Sequence, residues 1–170
     1  RPYSLKREGC TLVTIDPPGA NNAAAEAAMR DATLCIIPVR PSVADIEAAK
    51  PTIRYLSDRD KPFAFVLNQC PVGGRTARTS NAYRALQLLS AVSDATLANR
   101  ADHMDALGAG LGVTEHASSG KAAAETRALL SWLLAQLERP QRRRRDEPPA
   151  REARGEVRGA FKLRPQQPLP

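Results

Sequence analysis

Aromatic residues are scarce in this chain, 4% of its 170 residues, so a core has to be built from Ala, Leu, Val and Ile. Cysteine is limited to Cys10, Cys35 and Cys70. The number is odd, and no two stand at the spacing of a C-x-x-C redox or zinc motif. Each lies in or beside an apolar run, so all three are expected as buried, reduced thiols, which suits a reducing cytosol. Histidine is limited to His103 and His116. Their acidic neighbours Asp102, Asp105 and Glu115 do not make a metal site, because residues one apart on a helix do not face one point. No apolar stretch reaches the length of a membrane-spanning helix, and no signal peptide is visible. There is no methionine at position 1, and the start is read as a processing or truncation point. No Ser, Cys or Thr is placed beside a histidine in a way that suggests a hydrolase nucleophile.

The net charge of +7 is unevenly distributed. Residues 1–138 hold 15 basic and 14 acidic residues, net +1, whereas residues 139–170 hold 10 and 4, net +6. The high isoelectric point therefore belongs to a tail. From Pro140 onward an Arg142–Arg145 run and repeated prolines end any regular pattern, and 140–170 is expected to be a disordered basic tail. Such a run can bind nucleic acid or merely solubilise, and no interleaved aromatics are available for base stacking.

The apolar residues that are present form three continuous runs, Leu12–Ile15, Leu34–Val39 and Phe63–Leu67. Continuity rather than alternation predicts strands buried on both faces, as in a parallel sheet. Helical stretches separate or follow them: Ala23–Arg30, Val43–Ser57, Asn81–Val92, a short piece at Asp102–Leu107, and Lys121–Glu138. Ser42 with Asp45 suggests a capping box, and Pro51 predicts a kink or early break. Gln69–Ser80 reads as an exposed loop, and Ala95–Ala98 as a short fourth strand. In the last helix Leu130, Leu133, Leu134 and Leu137 form a stripe expected to dock on the sheet. This alternation argues for an α/β domain with right-handed crossovers.

Chemistry is expected just beyond the carboxyl ends of parallel strands. Asp16 stands there, at the end of Thr11–Gly19 (TLVTIDPPG), where a carboxylate can hold Mg²⁺ beside phosphates. Pro17, Pro18 and Gly19 follow as a stiff turn with a hinge. An aspartate that simply ends a strand reads equally well from these residues.

Several segments, taken in order, resemble the ParA/MinD family of deviant P-loop ATPases over residues 10–138. TLVTIDPPG resembles the Walker B and switch II segment, CIIPVRPSVADI the next strand with its PV-x-PS exit, and FVLNQC the strand ending in an adenine-contacting asparagine. Gly108–Lys121, with Glu115 and the K-A-A-x-E at Lys121–Glu125, resembles the closing stretch before the final helix. The resemblance implies a partial doubly wound parallel sheet of P-loop NTPase type flanked by helices, with residues 1–139 as the C-terminal part of the domain. It implies ATP and Mg²⁺ as cofactors: Asp16 positions the metal and its waters, Pro17, Pro18 and Gly19 form the switch loop, Pro41 lines the base pocket, and Asn68 meets the adenine edge. Ser42 could also line that pocket, although a plain N-cap is its simpler role. Ala98 stands where many relatives place a proline against the base. Nonspecific DNA binding is the family's second activity, and Arg75, Arg78, Arg84 and Arg100 are the residues that match it.

The family's glycine-rich loop with two lysines is absent from these 170 residues, as is the switch I aspartate. Backbone N–H groups of that loop cradle the phosphates, so Asp16 alone has no triphosphate to serve. The resemblance therefore implies a bacterial, cytoplasmic, nucleoid-associated ATPase for plasmid or chromosome partitioning. It would form an ATP-dependent homodimer, bind nonspecific DNA and be stimulated by a ParB-like partner, without a membrane, but would be inactive as the fragment that 170 residues lacking the loop would be. The alternative is a non-catalytic DNA-binding or scaffold protein derived from the same fold. MinD-like positioning is disfavoured by the lack of an amphipathic membrane-targeting helix, and an amidating biosynthetic role by the lack of substrate-binding segments.

Overall fold

The computed structural model describes residues 9–18, 23–73 and 76–138. Gly19, Arg75 and the basic segment 139–170 lie outside them. The described elements are α1 (Ala23–Asp31), β1 (Cys35–Val39), α2 (Val43–Ser57), β2 (Phe63–Leu67), α3 (Ala77–Gln87), β3 (Ala91–Val92), α4 (Ala101–Gly108), α5 (Val113–His116) and α6 (Lys121–Glu138). The strands form one parallel sheet in the order β1-β2-β3, with Cys35 opposite Phe63 and Val39 opposite Leu67. The fold is thus mixed α/β, a small parallel sheet flanked by helices.

The main core lies on one face of the sheet. Cys35, Ile37 and Val39 of β1, with Phe63, Phe65 and Leu67 of β2, point into it. Leu56 of α2 and Ala82 and Leu86 of α3 close it, and Phe63 and Phe65 meet edge-to-face with centroids 5.6 Å apart. The central strand β2 is buried at every position, as a two-sided apolar run requires. In β1 only alternate residues are buried, and Ile36 stays 36% exposed, so the expected two-sided burial fails there. The reason is position: β1 is an edge strand of the described sheet.

A larger departure concerns Leu12–Ile15. Residues 10–18 have no regular structure, and Leu12, Val13 and Ile15 are each about half exposed (49%, 46% and 52%). A strand needs a neighbour to take its backbone hydrogen bonds, and none pairs with this run among the described residues. The fourth-strand expectation is also shifted. The ladder with β2 is confined to Ala91–Val92; the chain returns to it where the Leu97 N–H donates to the Leu67 carbonyl at 2.9 Å, and just beyond β2 Cys70 and Ala98 form an isolated bridge. Between Val92 and Leu97 the buried Ser93 hydroxyl accepts the Ala95 N–H at 3.1 Å, a local turn that draws the chain off the ladder.

Helix limits follow their caps. Ser42 Oγ accepts the Asp45 N–H at 3.1 Å and starts α2. That helix runs unbroken through Pro51, contrary to the expected break. Pro51 and Glu47, whose carbonyl the proline leaves unbonded, are both exposed, so water can satisfy it. Thr76 Oγ1 accepts the Thr79 N–H at 3.2 Å, so α3 begins four residues earlier than the sequence suggests. It also ends earlier, at Gln87, where Ser90 turns back to donate to the Phe63 carbonyl at 2.7 Å.

The last helix has the expected limits but a different orientation. Leu130, Leu134 and Leu137 are 47%, 41% and 37% exposed, while Leu129, Trp132 and Leu133 are half-buried. Its tight contact is at its start, where Ala122 and Ala123 are fully buried and Ala122 joins Ala106 and Val113 in a small second core.

Candidate functional site

Strands β1 and β2 run parallel and in register, so both chains leave the sheet at the same edge. That edge carries a concavity of about 360 Å³ lined by Arg40, Pro41, Ser42, Asp45, Gln69, Pro71 and Arg78. Arg40 to Ser42 follow β1, Gln69 and Pro71 follow β2, and Arg78 lies in the first turn of α3. Three segments distant in sequence thus meet where an open parallel sheet ordinarily takes its ligand.

The polar groups are held by one another. Asp45 accepts from Arg40 Nε at 2.9 Å and, in a very short contact, from the Ser42 hydroxyl. The Ser42 hydrogen bond, followed by Arg40, holds the Asp45 carboxyl below the usual carboxylate range. Arg78 is exposed and has no hydrogen-bond or ion-pair partner among the described residues. The rim therefore carries two guanidinium groups against one carboxylate, beside the start of a 15-residue helix whose first N–H groups favour negative charge. Its chemistry suits an anion.

Asn68 closes the end of β2. Its N–H donates to the Val39 carbonyl at 2.9 Å, and its Oδ1 accepts the Gln69 N–H at 2.8 Å. Gln69 itself sits at φ 50, in the left-handed region that non-glycine residues seldom occupy. The side chain of Asn68 thus shapes the turn, leaving its amide NH₂ as the group able to meet a ligand. Pro41, which lines the concavity, is buried.

The remaining sequence-derived residues are scattered. Asp16 is exposed in the irregular segment, with Pro17 half-buried and Pro18 exposed. Arg84, in the last turn of α3, is exposed and unpaired among the described residues. Arg100 faces inward. Its Nε and Nη2 donate to Glu125 Oε1 at 3.1 and 2.6 Å, and its side chain is 17% exposed. The Glu125 Oε2 also accepts the Ala98 N–H at 3.1 Å. Burial works against the charge on Glu125, but the bonds from Arg100 and Ala98 outweigh it and hold the carboxyl below its usual range. Arg100 is thereby a structural tie, not a displayed cation. Of the thiols, Cys35 and Cys70 are buried and outside any disulfide, as expected, whereas Cys10 is exposed. Burial, opposed by Lys61, raises the Cys35 thiol above its usual range.

ATP with Mg²⁺, which the resemblance implies, can be tested against this arrangement. A triphosphate needs a cradle of backbone donors next to a carboxylate-held metal. The described residues place no such cradle beside Asp16, and they contain no cluster of three or more potential metal ligands. They do not by themselves fit Mg-ATP.

Sequence reasoning misses Arg40 and Gln69. A signal for Arg40 is present: it is the first residue after a buried parallel strand, in CIIPVRPS. Gln69 is placed by a backbone conformation that its residue type does not announce.

No family model matches the chain, and no curated protein matches it. No helix among the described residues is long and apolar enough to cross a membrane.

Proposed function

We propose that the chain belongs to a ParA-like DNA-partitioning ATPase and contributes its nonspecific DNA contact, made through phosphates at the carboxyl edge of the sheet. The observation that carries this reading is the concavity there, where the guanidinium of Arg78, unpaired among the described residues, and that of Arg40 stand beside the α2 N-terminus. Guanidinium groups bind phosphate oxygens in a forked, sequence-independent way. Arg84, exposed on the same helix as Arg78, adds a further cation. Arg100 is left out of the contact because Glu125 engages it.

The nucleotide side of the reading rests on the resemblance alone: ATP-dependent homodimerisation, hydrolysis stimulated by a ParB-like partner, Mg²⁺ at Asp16, a switch loop at Pro17–Gly19 and association with the bacterial nucleoid. In that scheme Asn68 and Pro41 flank the base. The exposure of Asp16 in an irregular segment favours the second reading, a DNA-binding or scaffold protein of the same fold that turns over no nucleotide.

Both readings predict salt-sensitive binding to duplex DNA of any sequence. Fluorescence anisotropy over a salt series should show Arg78→Ala weakening binding and reducing the salt slope by about 0.9 for each phosphate that is no longer neutralised. Unchanged slopes in Arg78→Ala, Arg84→Ala and the double variant would refute the DNA contact. Calorimetry with Mg-ATP on the wild type and Asp16→Ala separates the readings: binding that depends on Asp16 supports the ATPase, and no binding supports the non-catalytic form.

A further inference from the structure

Beyond its packed start, where Ala123 of the same face is fully buried, the final helix carries an apolar stripe that is left uncovered among the described residues. Leu130, Leu134 and Leu137 fall at the 4 + 3 spacing of one heptad, and all three remain 37–47% exposed. The residues turned toward the body are Leu129, Trp132, Leu133 and Gln136. Successive turns of a helix stack residues three and four apart. That places Arg127 in line with the stripe one turn before Leu130, and Glu138 one turn after Leu134. The exposed face is therefore a short leucine seam with a cation at its N-terminal end and an anion at its C-terminal end. Both charged residues are exposed, and Arg127 also holds the preceding turn through Nη2 to the Ser118 carbonyl at 2.5 Å.

We propose that this seam pairs with the same seam of a second copy of the chain, with the two α6 helices antiparallel about a two-fold axis near Leu134. Such an axis is the ordinary symmetry of a dimer and needs a self-complementary patch. The charge order selects the direction. Antiparallel helices set Arg127 of each copy beside the other copy's Glu138, offset by about 4.5 Å along the axis at 1.5 Å per residue, within reach of both side chains. Parallel helices would set like charges together. In the antiparallel arrangement Leu130 lies beside the other copy's Leu137, and the two Leu134 side chains meet at the axis. Aligned helix dipoles also oppose, which favours the same direction. A seam of this length falls short of a standard protein interface, so the dimer is weak, with a dissociation constant on the order of tens of micromolar. The pairing needs neither nucleotide nor DNA and stands apart from the proposed function.

The test is sedimentation velocity on the full chain, without nucleotide or DNA, from about 5 to 500 μM to bracket that dissociation constant. The expected result is a reversible monomer–dimer equilibrium. Leu134→Glu, which sets two carboxylates against each other at the axis, should raise the dissociation constant at least about 30-fold. Charge reversal gives a readout that does not depend on the core. Arg127→Glu and Glu138→Arg should each weaken the dimer about fivefold, and the double variant should return to within about twofold of wild type. Far-UV circular dichroism confirms that each variant keeps its helices. A chain that stays monomeric over the whole range, a dimer that survives Leu134→Glu, or a double reversal no better than the singles would each overturn the proposal. So would a monomer that instead sediments with lipid vesicles, since lipid would then be the occupant of the stripe.

Discussion

Replacing Glu125 by alanine is expected to destabilise the fold by about 2–3 kcal/mol. One carboxylate here serves three donors: Arg100 Nε and Nη2, and the Ala98 N–H. Ala98 is 9% exposed, so its N–H, stripped of its acceptor, recovers little from water; a buried donor left unmet costs about 1–3 kcal/mol. Breaking a fully buried ion pair from one side costs about 3–5 kcal/mol. The Arg100 and Glu125 side chains are 17% and 23% exposed, so solvent offsets part of that. Glu125→Gln can keep its one oxygen for the Ala98 N–H but turns an NH₂ toward Arg100, losing the charge and that acceptor while sparing the Ala98 bond, so it should cost about 1 kcal/mol less than the alanine. Urea unfolding followed by circular dichroism measures both, with m values compared to confirm that the unfolded reference is unchanged. A loss under about 1 kcal/mol for Glu125→Ala, or equal losses for the two variants, would show that the carboxylate does not hold Ala98 and Arg100 as described.

Three further outcomes follow from named contacts. The Glu125 carboxyl is depressed below its ordinary value of 4.5, so its stabilisation is complete above that pH and is lost as pH falls through the lower folded value; wild-type stability should drop in that acid window, and the drop should shrink in Glu125→Gln. Ser42→Ala removes the cap of α2 and should cost about 1 kcal/mol, with the Asp45 carboxyl rising toward its ordinary value in an NMR titration. A maleimide should label Cys10 at once in the native chain, and Cys35 and Cys70 only on the timescale of unfolding, read by mass spectrometry with and without urea.

The sequence makes the elements legible where period and neighbours agree. Phe63–Leu67 is a central strand, so its continuous apolar run is buried on both sides and its limits match. Val43–Ser57 and Lys121–Glu138 announce themselves through length and periodicity. Leu12–Ile15 has the same apolar continuity, but apolar character alone cannot say whether a pairing strand stands beside it. The stripe on the last helix misleads for a different reason. Residues Leu129, Leu130, Trp132, Leu133, Leu134 and Leu137 cover more than half the circumference, so either side could face inward. The site is readable to the extent that it uses strand ends: Pro41, Ser42 and Arg78 stand out in the sequence and do meet at one concavity. Arg100 reads in the sequence as a cation, and only the fold reveals that Glu125, 25 residues later, neutralises it.

That pairing also explains the spacing of the K-A-A-x-E stretch. Ala122 and Glu125 are one helical turn apart and share a face. Ala122 is fully buried against Ala106 and Val113, and Ala123 is buried as completely beside it. A larger side chain at either position would hold α6 off, and the Glu125 carboxylate would then fall short of Ala98. The alanines set the approach, and the glutamate uses it to bond the backbone next to the Cys70–Ala98 bridge, where the sheet ends. The apolar cluster of α4, α5 and α6 is too small to fix those helices by burial alone, with Ala106, Val113 and Ala122 as its buried members. The Arg100–Glu125–Ala98 contact therefore joins the small core to the large one. It is the place where a single polar side chain should matter as much as a buried leucine does elsewhere in the fold.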